Sequence, residues 1–401
     1  MFIIKNILYV LHSGTTGGTF LTNKDLMKNV DGEFNVFLLS SENNVLNLFK
    51  FSNNNLTLIK KYVRKNKWSA TSFHDSWLTY IYFDVLINYK IDIIHIRHLI
   101  NHSFDLPEVA HKLDIPVILS IHDFYLICPF YTLIDENCNF CGGYCNMNDK
   151  NCYNSLSSLN NINSKKIINK WRQNVSIMME FVDCFITTSD FVKDLFLSIY
   201  PKMKNYSFEV IEHGRDFKSF KESFYEIPSF DKPIKILCPA NYLNVMKGSD
   251  IIKEIKHYDV KNRIEFHFLG NCRDGVEDYG INHGTFERDE FYMKIKDIKP
   301  SFVGVFSIWP ETFCHTLTEA WSCGIPVFGS NLGVIQDRIL KTKGGWVIDL
   351  KDIEKSFNMI LDVANNEEEY LKSINNIKKI KFKTTKEMSD EYIEVYNKFL
   401  Y

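Results

Sequence analysis

Short apolar runs separated by longer amphipathic stretches recur along the whole chain, and this alternation narrows its fold more than any other feature. In the first half the runs are NILYVLH (6–12), FNVFLLS (34–40), IDIIHIR (91–97), PVILSIHD (116–123), CFITTSD (184–190) and FEVIEHG (208–214). Helix-patterned segments lie between them, around 19–29, 73–88, 104–113, 164–182 and 190–199. Runs that are apolar on both faces suit strands covered on both sides by helices, the environment of a parallel sheet. The pattern restarts with IKILCPAN (234–241), IEFHFLGN (264–271), SFVGVFS (301–307), IPVFGSN (325–331) and GGWVIDL (344–350), and turns helical from about 351. KESFYEIPSFDKP (221–233), polar and Pro-containing, reads as a linker. The expectation is an α/β protein with two Rossmann-like, doubly wound domains facing a cleft. Their bounds are 1–220 and 221–385, with a C-terminal helix, 386–401, packing back on the first domain.

Charge and hydropathy exclude several function classes. The 401 residues carry 47 Lys and Arg against 49 Asp and Glu, a net charge of −2 that gives nucleic acid no electrostatic footprint. No run of about 18 apolar residues is present, so no spanning helix is expected. The opening MFIIKNILYVLHSG flows straight into a glycine loop and reads as a first strand rather than a signal peptide. Ten cysteines without a signal point to a reducing, cytoplasmic setting.

The segment WPETFCHTLTEAWSCGIPVFGSN sets Glu311 and Glu319 among apolar neighbours, where a carboxylate without a partner is costly. Pro310 and Thr312 suit the first turn of a helix that Gly324–Pro326 ends. Such a helix start offers the backbone N–H groups of Phe313, Cys314 and His315 to an anion. Eight helical residues span roughly 12 Å, about the reach from a sugar ring across a diphosphate to a ribose. The plainer reading is that Glu319 is an ordinary ion-paired helix residue. A second loop, HSGTTGGTF (12–20), places Gly14, Gly17 and Gly18 between a strand and a helix, where they serve either an anion or a tight turn.

With the glycine loop, SIHDFYLICP, VIEHGRDF, ANYLNVMKGSD, LGN and HGTFERDEF occurring in that order, the chain resembles family 4 glycosyltransferases. These are retaining enzymes of the GT-B fold with an E-x7-E motif. The resemblance covers nearly the full chain. It implies that Glu311 contacts hydroxyls of the donor sugar and Glu319 the nucleotide ribose, while Phe313, Cys314 and His315 hold the sugar and diphosphate. Lys247 would neutralise the leaving diphosphate, His122 would face the transferred sugar, and Asp123 would shape the acceptor side. Gly17 and Gly18 form the glycine loop, and Gly284 with Phe286 the base-binding loop. One position departs. Asn241 stands in the donor site where the family places an arginine six residues before the lysine, and a neutral amide does not replace a bidentate guanidinium. Arg215, Arg273 and Arg288 are the candidates to compensate.

The resemblance thus implies a cytoplasmic, hexosyltransferase-type enzyme that moves a sugar from a nucleotide-diphosphate sugar to a hydroxyl of a glycan or lipid-linked glycan. Bacterial surface polysaccharide synthesis is the implied setting, with peripheral contact at the inner membrane face if the acceptor is lipid-linked. No cofactor or catalytic metal is required if Lys247 and the helix amino end supply the positive field. The rival readings are residue by residue: Lys247 as a solvated helix start before Gly248 and Ser249, and His122 as a core histidine. At the level of the whole chain, the rival is a non-catalytic nucleotide-sugar or carbohydrate-binding protein on a degenerated GT-B fold.

The loop after His122 carries Cys128, Cys138, Cys141, Cys145 and Cys152. The spacing C-x2-C-x3-C-x6-C admits a structural zinc held by Cys138, Cys141, Cys145 and Cys152, a redox-labile or disulfide-linked loop, or unpaired thiols.

Overall fold

A computed structural model describes residues 4–13, 18–42, 44–65, 73–135, 137–145, 164–217, 224–229 and 231–400. The chain forms two compact units, one of residues 1–133, 141–216 and 383–401, the other of 134–140 and 217–382.

The first unit contains β1 (Lys5–Leu11), α1 (Gly18–Val30), β2 (Phe34–Glu42), β3 (Val45–Ser52), β4 (Asn55–Val63), α2 (Ser76–Asn88), β5 (Ile93–Ile96), α3 (Asp105–His111), β6 (Val117–Ile121), α4 (Ser164–Met179), β7 (Cys184–Thr187), α5 (Asp190–Ile199) and β8 (Ser207–Val210). Its eight strands lie in the order β4-β3-β2-β1-β5-β6-β7-β8. All neighbours pair in parallel except along β2-β3-β4. The buried strands are those whose apolar runs stand out in the sequence. The hairpin β3–β4 escapes that reading because only one of its faces is apolar, and β4 is mostly exposed. Its turn, Asn53–Asn54, holds both residues at positive φ, 52° and 64°, as the two-residue hairpin turn demands. Lys60 and Lys61 on this edge strand guard it against pairing with another chain.

In the second unit follow β9 (Ile234–Leu243), α6 (Ser249–Tyr258), β10 (Ile264–Cys272), β11 (Gly280–Asn282), α7 (Phe291–Ile298), β12 (Phe302–Val305), α8 (His315–Ser322), β13 (Val327–Ser330), α9 (Gly333–Thr342), β14 (Gly345–Ile348), α10 (Ile353–Ala364) and α11 (Glu367–Ile377). Its six strands are all parallel, in the order β11-β10-β9-β12-β13-β14. Ile134 of the cysteine-rich segment joins this unit's core beside Ile236, Phe266 and Phe302.

The last helix, α12 (Thr385–Leu400), belongs to the first unit. Met388, Tyr392, Ile393, Val395 and Tyr396 pack into the core that Ile7, Tyr9, Leu11 and Ile93 begin. Asp216 caps it, accepting from Thr385 N at 3.0 Å and Thr385 Oγ1 at 2.6 Å. Among the described residues no helix is long and apolar enough to cross a membrane.

Candidate functional site

Parallel sheets of this kind take ligands beyond the carboxyl ends of their strands, where the strand order reverses. In the second unit that point lies between β9 and β12, and the loops following these two strands carry Lys247 and Glu311. After β9, Asn244 accepts from Lys247 N at 3.2 Å and shapes a short 3₁₀ turn, Val245–Lys247. After β12, Ile308 N donates to Met246 O at 3.1 Å and ties the second loop to the first. Lys247 Nζ then meets Glu311 Oε1 at 2.6 Å, and Ser307 Oγ donates to the same oxygen at 2.5 Å. The ammonium also lies 5.5 Å from the centroid of the Trp309 ring.

Burial and pairing compete at this pair. Glu311 is 8% exposed, and burial pushes its carboxyl upward, but the Lys247 charge and hydrogen bonds from Lys247, Ser307 and Cys314 outweigh it. The net result lies below the usual glutamate range. Burial likewise pulls Lys247 down, and Glu311 more than reverses it. About a third of the Lys247 side chain, 34%, stays exposed, so it is the reachable end of the pair.

The expected helix from Pro310 is corrected by the structure. The chain runs as a loop through Cys314, and α8 begins at His315. Cys314 sits at φ 63°, a left-handed conformation that no α-helix continues through. Arg338 of α9 fixes it there: Nη1 donates to the carbonyls of Phe313 at 2.8 Å and Cys314 at 3.0 Å, and Nη2 to Thr318 Oγ1 at 2.8 Å. Its guanidinium also lies 4.3 Å from the Phe313 ring centroid and 5.4 Å from that of Trp321. Only the stretch from His315 to Glu319 is helical, so the 12 Å helical span between the two glutamates does not apply. Glu311 lies on the loop, and Glu319 is half-buried on α8. Neither Ser307 nor Arg338 stood out in the sequence; the only signal for Ser307 was a polar residue closing a buried strand. Arg338→Ala should lower unfolding stability by about 2–4 kcal/mol, because three charge-assisted hydrogen bonds go with it. A urea midpoint unchanged from wild type would show that the loop stands without it.

The other residues that the resemblance assigns to the donor, and the arginines weighed as compensating for Asn241, have local surroundings of their own. Gly284, at φ 76°, accepts from Gly270 N at 2.8 Å and donates to Asn282 Oδ1 at 2.8 Å. Phe286 packs 5.5 Å from Phe291. Asn241 is exposed on β9, its carbonyl accepting from the Asn271 amide at 3.3 Å. Arg273 is exposed with its guanidinium 5.4 Å from the Tyr242 ring centroid, Arg288 is half-buried, and Arg215 belongs to the first unit.

In the first unit the strand order reverses between β1 and β5. His12 follows β1, Arg97 and His98 follow β5, and His122 and Asp123 follow β6. Each oxygen of Asp123 accepts one hydrogen bond, Oδ2 from His98 Nε2 at 2.9 Å and Oδ1 from Tyr125 N at 2.9 Å. His98 Nδ1 accepts from Ile100 N at 3.0 Å, which leaves the proton on Nε2. His122 stacks parallel to His213, ring centroids 5.4 Å apart. Burial, then the charges of Arg97, His213, His98 and His95, push His122 well below the ordinary histidine range. It should therefore remain neutral at pH 6, and an NMR titration showing it protonate near pH 6.5 would contradict this environment. Gly18 opens α1 with open space where a Cβ would stand, and Gly17 lies outside the described residues.

The four-thiol zinc reading is not met by the described residues. No group of three or more His, Cys, Asp or Glu among them is arranged to hold a metal. Cys138 belongs to the second unit, Cys141 and Cys145 to the first, and Cys152 lies outside the described residues. An arginine braces the loop instead: Arg172 donates to the carbonyls of Ile127 at 3.1 Å and Gly143 at 2.5 Å, with Cys145 Sγ at 3.7 Å.

Residues 61–218 match the family model described as Glycosyltransferase Family 4, and residues 291–380 that described as Glycosyl transferases group 1. No curated protein matches the chain. Among solved structures, HepE from Anabaena in complex with UDP is similar over 98% of this chain and 100% of its own, with 12% identity and a TM-score of 0.64. Sucrose-phosphate synthase from Thermosynechococcus elongatus is similar over 98% and 99%, with 12% identity and a TM-score of 0.63. The catalytic domain of starch synthase IV from Arabidopsis thaliana, bound to ADP and acarbose, is similar over 99% and 100%, with 13% identity and a TM-score of 0.61.

Proposed function

Because a Glycosyltransferase Family 4 domain and a group 1 domain share one chain on a GT-B fold, this protein is a family 4-like glycosyltransferase, and we propose that it is a retaining one using a nucleotide-diphosphate sugar. The observation that carries the donor assignment is the Lys247–Glu311 pair at the switch point of the second unit. Its exposed cation suits a diphosphate, and its carboxylate suits sugar hydroxyls, which donate strong, directional hydrogen bonds to charged oxygens. Glu319 holds the ribose, and backbone at Phe313, Cys314 and His315 borders the sugar and diphosphate. Gly284 and Phe286 receive the base, with Asn241 on the same nucleotide side, and Gly17 and Gly18 keep the role the resemblance gives them, the glycine loop of the first unit. UDP in one structural neighbour and ADP in another support a nucleotide diphosphate and leave the base to a ligand panel.

In the proposed step the bond between the anomeric carbon and the β-phosphate oxygen breaks while the acceptor oxygen bonds the same face. The acceptor hydroxyl proton passes to the departing diphosphate, and Lys247 neutralises the charge developing there. His122, held neutral, and Asp123 serve the acceptor, a glycan or lipid-linked glycan of the kind found in bacterial surface polysaccharides. With Asn241 neutral, the diphosphate relies on Lys247 and backbone N–H groups for its positive field. The same substitution favours the second reading, a nucleotide-sugar-binding protein without turnover. NMR of the product anomer decides both points. The α-linked product from an α-linked donor supports retention, a β-linked product excludes it, and binding without turnover over a broad acceptor set establishes the second reading.

A further inference from the structure

At the switch point of the first unit a guanidinium is buried without an ion pair among the described residues. Arg97, directly after β5, is 0% exposed. Its Nη1 donates to Ser120 Oγ at 3.3 Å, whereas Nε and Nη2 have no partner among the described residues. No described carboxylate forms an ion pair with it. The Tyr392 ring, its centroid 5.3 Å away, supplies a cation–π contact, and the Tyr392 hydroxyl is itself buried without a partner. An arginine cannot neutralise itself by losing its proton, so a buried, half-bonded one is among the least favourable arrangements a fold can keep.

The two idle donors are not scattered. Nε–H and Nη2–H lie along one edge of the planar guanidinium, the parallel pair that grips two oxygens of a carboxylate or phosphate at once. Arg97 lines a cavity of about 20 Å³ together with His98, Ser120, His122, Asp123 and Tyr125. This volume exceeds what one water needs but is too small for a sugar ring, so it admits only a projecting group. Of these residues, His122 and Asp123 are the more accessible, and Asp123 is already committed to His98 and Tyr125. Burial and the Arg97 charge hold both His95 and His122 well below the usual histidine range. Asp123 is thus the one carboxylate of the lining, its oxygens are taken up by His98 and Tyr125, and no ion pair joins it to Arg97.

We propose that this cavity takes a two-oxygen anion, the carboxylate of an acidic sugar or a phosphate, carried by the acceptor. Identifying the carrier as the acceptor rests on the glycosyltransferase reading, but binding of the anion does not. The test is calorimetric titration of the full chain with glucuronate, with inorganic phosphate and with glucose, repeated in Arg97→Met, Arg97→Lys and Lys247→Met. Glucuronate binding that glucose does not share identifies a sugar carboxylate, and phosphate binding alone identifies a phosphorylated acceptor. In either case Arg97→Met should abolish binding, Arg97→Lys should weaken it at least tenfold, and Lys247→Met should leave it intact. Should Arg97→Met fail to unfold cooperatively, Arg97→Lys, which keeps the charge and loses the fork, decides the matter. The proposal is overturned if neither anion binds, if glucose binds as well as glucuronate, or if Arg97→Lys binds like wild type. Loss of binding in Lys247→Met would move the anion to the donor side and overturn it as well.

Discussion

Glu311→Ala should cut kcat/KM by about 10²–10³-fold, the scale of removing one preorganised electrostatic contact from a transfer site. Its Oε1 is the single point where Lys247 Nζ and Ser307 Oγ converge, at 2.6 Å and 2.5 Å. Without it, the burial that pulls the Lys247 ammonium down is no longer opposed by Glu311. Glu311→Gln keeps an oxygen for Ser307 but not the charge, so it should fall between alanine and wild type. Lys247→Met should be comparably damaging, for it leaves Glu311 buried beside an alkyl chain. The stability cost of each single change should be about 1–3 kcal/mol, less than for a fully buried pair because Lys247 is partly wet. The double variant should cost less than the two singles added together, a coupling that a double-mutant cycle measures directly. The pH dependence follows from the signs. Glu311 titrates below its ordinary 4.5, so its contribution is in place above that value and fades as pH falls through the lower, folded one. Lys247 titrates above 10.5, so its contribution is in place below that value and fades as pH rises through the higher, folded one. Between them the pair should hold a flat plateau, and a stability break near neutrality in wild type that Glu311→Gln removes would contradict it.

The second large effect is expected from Gly248→Ala, which changes one methyl and no charge. Gly248 lies at φ 87° between the Lys247 turn and α6. A Cβ there would stand 2.3 Å from Phe306 O, 2.6 Å from Phe306 Cβ and 2.8 Å from Phe306 C. Two of these three atoms are backbone, so the loop after β12 must shift bodily rather than rotate a side chain away. The loss should be about 3–5 kcal/mol in unfolding stability, with activity falling further because Lys247 and Glu311 ride on the two displaced loops. Gly284→Ala is the matched control. Its φ is 76°, but a Cβ there meets nothing within 4 Å, so only the backbone strain of about 1 kcal/mol remains. Urea midpoints of the two variants that agreed would show that conformation, not the contact with Phe306, governs Gly248.

The buried framework was readable in the sequence because its strands are apolar on both faces. NILYVLH, PVILSIHD and IKILCPAN all fall on parallel strands. The hairpin β3–β4 was not readable, since NLTLIKKYV faces solvent and its pattern is that of many loops. Glu311 was conspicuous as a carboxylate among apolar residues, but the shape of its loop was not. Pro310 and Thr312 carry a helix-start pattern, and the tertiary contact from Arg338, far along the chain, overrides it by holding Cys314 in a left-handed turn. Arg97 was hidden for the opposite reason. It closes an apolar run, IDIIHIR, and only the fold shows that the one carboxylate lining its cavity, Asp123, is taken up by His98 and Tyr125 while Nε and Nη2 of Arg97 stay idle.

The most direct test of the donor assignment is a thermal-shift titration of the full chain with UDP-, ADP- and GDP-sugars, in wild type and in Lys247→Met. At about a hundredfold excess over Kd, a bound nucleotide sugar adds about 2.7 kcal/mol and several degrees of Tm. The expected result is such a rise with at least one member of the panel in wild type and its loss in Lys247→Met. A wild-type Tm unmoved by every nucleotide sugar, or an equal rise in Lys247→Met, would contradict a donor site built on Lys247 and Glu311.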